Sequence, residues 1–215
     1  MQVEKQVLCV RHAESLENAA ERPQNEDGSL SERGIEQARI TAGRLAHFRI
    51  DTIITSPWQR ARETADIFAE RLEVPVAELD AARERRHPSE VVGKHKYDPQ
   101  AQEVSAAIWR NFTEPNYRYS DEENFEDLRE RSGQVERALL NASGERIALV
   151  SHGAFLRALF AYMLHPGVSA HEVYDFFCRV ALMNASITAL NYTEEYGWRL
   201  QFLNSCCHLE RELEQ

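Results

Sequence analysis

The chain has 215 residues, 43% of them apolar, and a formal net charge of −10 at pH 7. That length suits one packed core, and no run approaches the roughly 18 consecutive apolar residues of a membrane span. The acidic balance repels nucleic acid, anionic lipid and small anions alike, so an anionic ligand would need a local cluster of cations.

Residues 1–5 run directly into the apolar segment Val7-Leu8-Cys9-Val10, with no charged leader and no long hydrophobic stretch, so no secretory signal is expected. Cys9, Cys178, Cys206 and Cys207 make no disulfide framework, and a cytoplasmic location is expected. Apolar runs bounded by turn residues predict core strands over 6–10, 52–55, 146–151 and 186–192, with an antiparallel edge over 198–203. Ile35, Ala38, Ala42 and Leu45 form a helical stripe between Ser31, its N-cap, and His47. Ser120-Asp121-Glu122-Glu123 reads as a capping box opening a second helix that ends near Gly144. Residues 154–164 are apolar nearly all round, as in a covered helix.

Alternation of strands and helices implies an α/β fold: three layers, a mostly parallel sheet with helices on both faces, and one domain over residues 1–215. Residues 86–120 depart from the pattern, with prolines, aromatics and a weak helical period over 102–112. They are expected to form a small helical or irregular cap or lid.

Three strand ends carry candidate chemistry. Arg11-His12-Ala13-Glu14-Ser15, with Asn18, follows the first strand; Ser56-Pro57 with Arg60 follows the second, Pro57 being expected in the first turn of the next helix; Ser151-His152-Gly153 follows the third and opens a helix. Parallel strands bring such ends together, at the place where ligands bind in open α/β sheets. Arg62 reads as solvated.

Together these blocks resemble the histidine phosphatase superfamily, also called phosphoglycerate mutase-like. The resemblance includes Leu30-Ser31-Glu32-Arg33-Gly34 with Gln37-Ala38, and Thr64-Ala65, spans residues 7 to about 160 in the family's order, and extends to about 192 through Asn184-Ala185-Ser186-Ile187. Ala13 stands where the family usually has Gly, and the family's Gly-rich segment after its acidic residue is replaced by Arg85-Arg86-His87-Pro88-Ser89-Glu90.

The resemblance implies a phosphomonoesterase with His12 as nucleophile. Arg11, Arg60 and a cationic His152 would hold the transferring phosphoryl group, with Asn18, Gly153 and the backbone N–H groups after Ser151 assisting. Glu84 is the expected proton donor and Glu90 the runner-up. The physical chemistry agrees, because a neutral imidazole is nucleophilic near neutral pH and guanidinium forks match phosphate oxygens. With those cations no metal or other cofactor is expected, and the partner is a phosphorylated small molecule, with no nucleic acid or membrane; the oligomeric state stays open.

Alternatives are a phosphoglycerate mutase, disfavoured because residues 21–28 replace the mutases' Trp- and Gly-containing segment, and a silent phospho-ligand binder, disfavoured by the nucleophile. His171-Glu172 with Asp175 reads as a helix start and Cys206-Cys207-His208 as a tail, neither as a metal set. Tyr97, Trp109, Tyr117 and Tyr119 are candidates either to line the pocket or to pack the cap onto the core.

Overall fold

Alternation along the central strands divides their side chains between two cores. A computed structural model describes residues 4–20, 22, 26–114 and 116–209. In it β1 (Lys5–Arg11) sends Val7 and Cys9 to one face of the sheet and Leu8 and Val10 to the other. In β4 (Arg146–Ser151), Ile147 and Leu149 join the first core and Ala148 and Val150 the second. Strands buried on both faces are what a three-layer α/β fold demands.

The helices follow the same division. Helices α2 (Glu32–Ala46) and α3 (Gln59–Leu72) supply Ala38, Ala42, Leu45 and Phe68 to one core. Helices α5 (Phe125–Asn141) and α6 (Gly153–Leu164) supply Leu128, Val135, Phe155 and Leu159 to the other. A one-turn α1 (Leu16–Ala19), α4 (Pro99–Arg110) and α7 (Ala170–Arg179) complete the described helices.

With β2 (Thr52–Thr55), β3 (Val76–Glu78), β5 (Ile187–Thr193) and β6 (Gly197–Ser205), the six-stranded sheet has the order β3-β2-β4-β1-β5-β6. The first four strands are parallel, while β5 runs antiparallel to β1 and β6 to β5. The predicted edge over 198–203 lies within β6, and β3 was not predicted, its three residues all being exposed. Register places Arg11 beside Ser151 and Thr55 beside Val150, so β1, β4 and β2 end at one level.

Two helix starts differ in detail from the sequence reading and one agrees. Ser31 does cap α2, its hydroxyl accepting from Gly34 N–H. The capping box of α5, however, is Asn124 with Asp127, because Glu122 and Glu123 turn inward and are buried instead of opening a helix at Ser120. That helix stops at Asn141, and Gly144, at φ +84°, packs on Asp51, where a Cβ would come within 2.5 Å of its side chain. Pro57 lies outside α3, whose N-cap is Trp58 in extended conformation, because the Ser56 hydroxyl accepts from Trp58 N–H and holds the chain in a turn.

Residues 86–120 contain a short 3₁₀ turn (Ser89–Val91) and α4, which starts and ends earlier than the predicted 102–112. Val91, Ala101, Val104 and Ile108 form a small apolar cluster of their own, apart from the two main cores.

Candidate functional site

The loop after β1 is held from several sides. Ala13 N–H donates to the Thr64 hydroxyl at 3.1 Å, Glu14 N–H to Gln37 Oε1 at 2.9 Å, and Ser31 N–H to Glu14 O at 2.9 Å. Gly34 is required at its place, since a Cβ there would lie 2.0 Å from Glu14 O. The blocks around Ser31 and Thr64 therefore frame the His12 loop instead of contributing reactive groups.

His12 is buried, and its Nδ1 lies 2.7 Å from Ala13 O. A carbonyl only accepts, so Nδ1 carries the proton and Nε2 presents its lone pair. Onto that lone pair Arg60 donates its Nε–H at 3.2 Å. Burial, then the charges of Arg60 and Arg11, hold the imidazole well below its ordinary value, so it is neutral. Arg60 is only 1% exposed and its guanidinium stacks on Trp58, 4.9 Å from the ring centroid.

His152 packs 5.1 Å from His12, centroid to centroid, and edge-on to Trp58 at 5.2 Å. Its Nε2 shares a 2.8 Å hydrogen bond with the Ser56 hydroxyl, while its buried Nδ1 has no partner among the described residues. Burial, then the charges of Arg60, His12 and Arg11, push His152 well below its ordinary value; the cationic form is expected only beside a phosphate dianion. A cation enclosed among arginines gives up its proton.

Arg11 donates from Nη1 to Leu182 O at 2.6 Å, and its buried Nε has no partner among the described residues. Gly153 lets it approach, since a Cβ there would meet Arg11 Nε at 3.2 Å. Asn18 Oδ1 accepts from Asn184 Nδ2 at 3.1 Å, and the same Asn184 group donates to His12 O at 3.0 Å, tying the segment before β5 to the site.

Glu84 lies across the start of α6. Its Oε1 accepts from Phe155 N–H at 2.9 Å and Arg85 N–H at 2.8 Å, and Oε2 accepts from Ala154 N–H at 3.2 Å. Burial raises its pKa, but these three bonds and the Arg60 charge outweigh that and hold it below the ordinary carboxylate value. Two of the backbone N–H groups expected to face a ligand are thus already used. Glu90 accepts from the Ser120 hydroxyl at 2.9 Å and is absent from the cavity wall that Glu84 lines.

That cavity has a volume of about 460 Å³, with Arg11, Glu84 and Gly153 in its wall and Val104, Ile108 and Trp109 of α4 facing them. Trp109 alone of the four candidate aromatics lines it; Tyr97 and Tyr119 are exposed. Arg62 is half exposed and 3.8 Å from Glu78, as expected of a solvated residue. Glu172 closes a capping box with Ser169, and His208 Nε2 bonds Thr41 Oγ1 at 3.0 Å and Ala185 O at 3.2 Å. Glu21 and 23–25, from the segment contrasted with mutases, lie outside the described residues.

Sequence reasoning missed the support behind Glu84. Arg131 pairs with Glu123 through two 2.8 Å bonds and donates to Ala81 O at 2.7 Å and Arg83 O at 2.9 Å, so a buried ion pair clamps the loop that carries Glu84. Glu123 also accepts from Arg86 N–H at 2.9 Å. The inward pull of an Arg on a helix otherwise read for its apolar stripe left no local signal. Arg157, four residues into the apolar α6, was likewise missed; it donates to Gly153 O at 3.1 Å and Phe177 O at 2.7 Å, and lines the cavity.

The model of the histidine phosphatase superfamily (branch 1) matches residues 7–205. The chain is 31% identical to the probable phosphoglycerate mutase GpmB of Yersinia pestis, covering 95% of each. It is 28% identical to the uncharacterized phosphatase PhoE of Bacillus subtilis, covering 94% of this chain and 96% of that protein. Among solved structures, YhfR of Bacillus stearothermophilus superposes with a TM-score of 0.81 at 24% identity, covering 95% of this chain and 99% of that one, which supports the fold. The ordered site blocks, the α/β architecture and these matches agree: the chain belongs to the histidine phosphatase superfamily, branch 1.

Proposed function

We propose that this chain is a metal-independent phosphomonoesterase of small phosphorylated molecules, working through a phosphohistidine on His12. The observation that carries the reading is the pinning of Nδ1 by Ala13 O, which leaves Nε2 as the reactive nitrogen, with Arg60 upon it and Arg11, His152 and Glu84 gathered around.

The Nε2 lone pair attacks phosphorus and the ester P–O bond breaks. Negative charge spread over the equatorial oxygens is met by Arg11, Arg60 and His152, with Asn18 and Gly153 N–H assisting. The dianion raises the pKa of His152 and of Glu84 by opposite- and like-charge effects respectively. The leaving oxygen takes the Glu84 proton. Glu84 then removes a proton from water, whose oxygen attacks phosphorus; the P–N bond breaks, its electron pair returns to Nε2, and inorganic phosphate departs.

Residues 86–120 act as the cap of a single domain, setting substrate choice through α4. Four free cysteines, none of them paired, suit a cytoplasmic setting.

Hydrolysis of an aryl phosphate in excess chelator tests the reading. Robust turnover by wild type and its loss in His12→Ala support it; chelator-sensitive turnover, or full activity in His12→Ala, overturns it. Acid-labile, alkali-stable phosphate on His12 after rapid quenching identifies the intermediate. The name of the Yersinia pestis relative motivates a second reading, phosphoryl return to phosphoglycerate, which a mutase assay separates from hydrolysis.

A further inference from the structure

Ala185, two residues before β5, holds φ +57°, a left-handed conformation that a residue with a Cβ seldom keeps without support. Glycine would adopt it freely, but the Ala185 methyl is fully buried in the second core. The residue is instead pinned at both of its backbone groups. Its N–H donates to Arg11 O at 2.9 Å and His12 O at 3.3 Å, the two carbonyls on either side of the His12 α-carbon. Its carbonyl accepts from the Thr41 hydroxyl at 3.2 Å and from His208 Nε2 at 3.2 Å. Among the described residues, those two side chains are the donors to that carbonyl.

His208 comes from the turn after β6, far from the site in sequence. Leu209 N–H donates to Cys206 O at 2.8 Å and closes that turn, and the Leu209 side chain is buried in the second core, which anchors it. A carbonyl only accepts, so Nε2 of His208 carries the proton, shared between Ala185 O and Thr41 Oγ1, the latter at 3.0 Å. The hydroxyl of Thr41, buried on α2, turns its own hydrogen to Ala185 O. The neighbouring Asn184 donates from Nδ2 to His12 O at 3.0 Å, so any shift of Ala185 would disturb that bond as well.

We propose that His208, with Thr41, is a positioning residue of the nucleophile: it keeps Ala185 in the left-handed conformation, and Ala185 in turn tethers the backbone of Arg11 and His12. This deepens the phosphohistidine reading above and rests on it for the role of His12. Ala13 O orients the His12 ring, while the tether through Ala185 fixes the backbone from which that ring projects. Without His208, Ala185 relaxes out of its strained conformation, its N–H turns away from Arg11 O and His12 O, and Nε2 loses its aim at phosphorus.

The test compares wild type, His208→Ala and His208→Gln, the last keeping an N–H donor at similar reach. On phenyl phosphate, His208→Ala should lower kcat about tenfold, as small displacements of a reacting group do. KM should stay within about twofold of wild type, because the loss lies in aim and not in substrate binding. His208→Gln should recover most of the lost rate. Hydrogen exchange followed by NMR should show the Ala185 amide exchanging faster in His208→Ala than in wild type, while the Leu149 amide within β4 keeps its protection. Unchanged kcat in His208→Ala, a loss that His208→Gln does not recover, or wild-type exchange at Ala185 overturns the proposal. Equal acceleration at Ala185 and Leu149 marks a general loss of stability and overturns it too.

Exchange needs no substrate, so it separates this inference from the reading beneath it. Faster exchange at Ala185 alone, alongside no hydrolysis of any phosphate ester by wild type, would overturn the hydrolytic reading and leave the tether standing. Unchanged exchange alongside robust wild-type hydrolysis overturns the tether and leaves the hydrolytic reading intact.

Discussion

Arg60 donates its Nε–H to Nε2 of His12 across 3.2 Å, placing a fixed cation on the ring nitrogen that Ala13 leaves open. In the free protein that bond covers the lone pair, and an arriving phosphate must draw the guanidinium onto its own oxygens. Arg60→Ala should lower kcat/KM by about 10²–10³, the usual cost of a lost donor to developing charge. Arg60→Lys should recover little, because an ammonium lacks the fork. Because Arg60 depresses His12, the His12 imidazole signal followed by NMR should titrate at higher pH in Arg60→Ala than in wild type.

Two buried histidines, His12 and His152, and the partly buried His87 give stability a definite pH dependence. Burial, with nearby arginines, holds His12 and His152 well below 6.5, and burial followed by the Arg85 charge brings His87 down to about 4. Below pH 6.5 the unfolded chain binds protons that the folded chain refuses, so unfolding becomes easier as pH falls from 6.5 toward 4. Glu84, depressed in the fold, acts in the same direction as pH falls through the carboxylate range. The melting temperature should drop between pH 7 and pH 5 in phosphate-free buffer; a flat or rising trend contradicts the neutral histidines.

Glu84→Gln keeps the shape of the side chain but removes the proton. If it serves the leaving group, loss should be largest for alkyl phosphates, about 10²–10⁴ in rate, and much smaller for p-nitrophenyl phosphate, whose leaving group needs no proton. Equal loss on both substrates would assign Glu84 to positioning alone.

Gly34→Ala inserts a methyl group where Glu14 O already lies 2.0 Å away. The forced shift should cost about 1–3 kcal/mol or more in chemical denaturation. Since Glu14 neighbours the His12 loop, activity should fall by more than the unfolded fraction explains.

Legibility in the sequence followed the range of the interactions. Alternation such as Val7, Leu8, Cys9, Val10 is local and depends on the sheet's two faces alone, so strands and layers could be read directly. The site blocks were readable because each sits at a strand end, where parallel pairing leaves one outcome. The antiparallel turn of β5 was not readable, since direction depends on where the chain returns after α7. Nor was the Arg131–Glu123 clamp, which depends on Glu123 turning inward, away from the helix start its neighbours suggested. The depressed pKa of His152 in the protein alone was not readable, because it depends on burial and on enclosure by Arg60 and Arg11, which no spacing records.

The carboxylate lying across the first turn of α6 has a further effect. The helix end keeps Glu84 stripped of its hydrogen in the vacant enzyme, whereas donation to a departing alkoxide demands the protonated form. On the proton-donor role proposed for Glu84, loading draws hydrogen ions from the medium. Affinity becomes a function of alkalinity, and calorimetry in buffers of unequal ionisation heat should register that uptake.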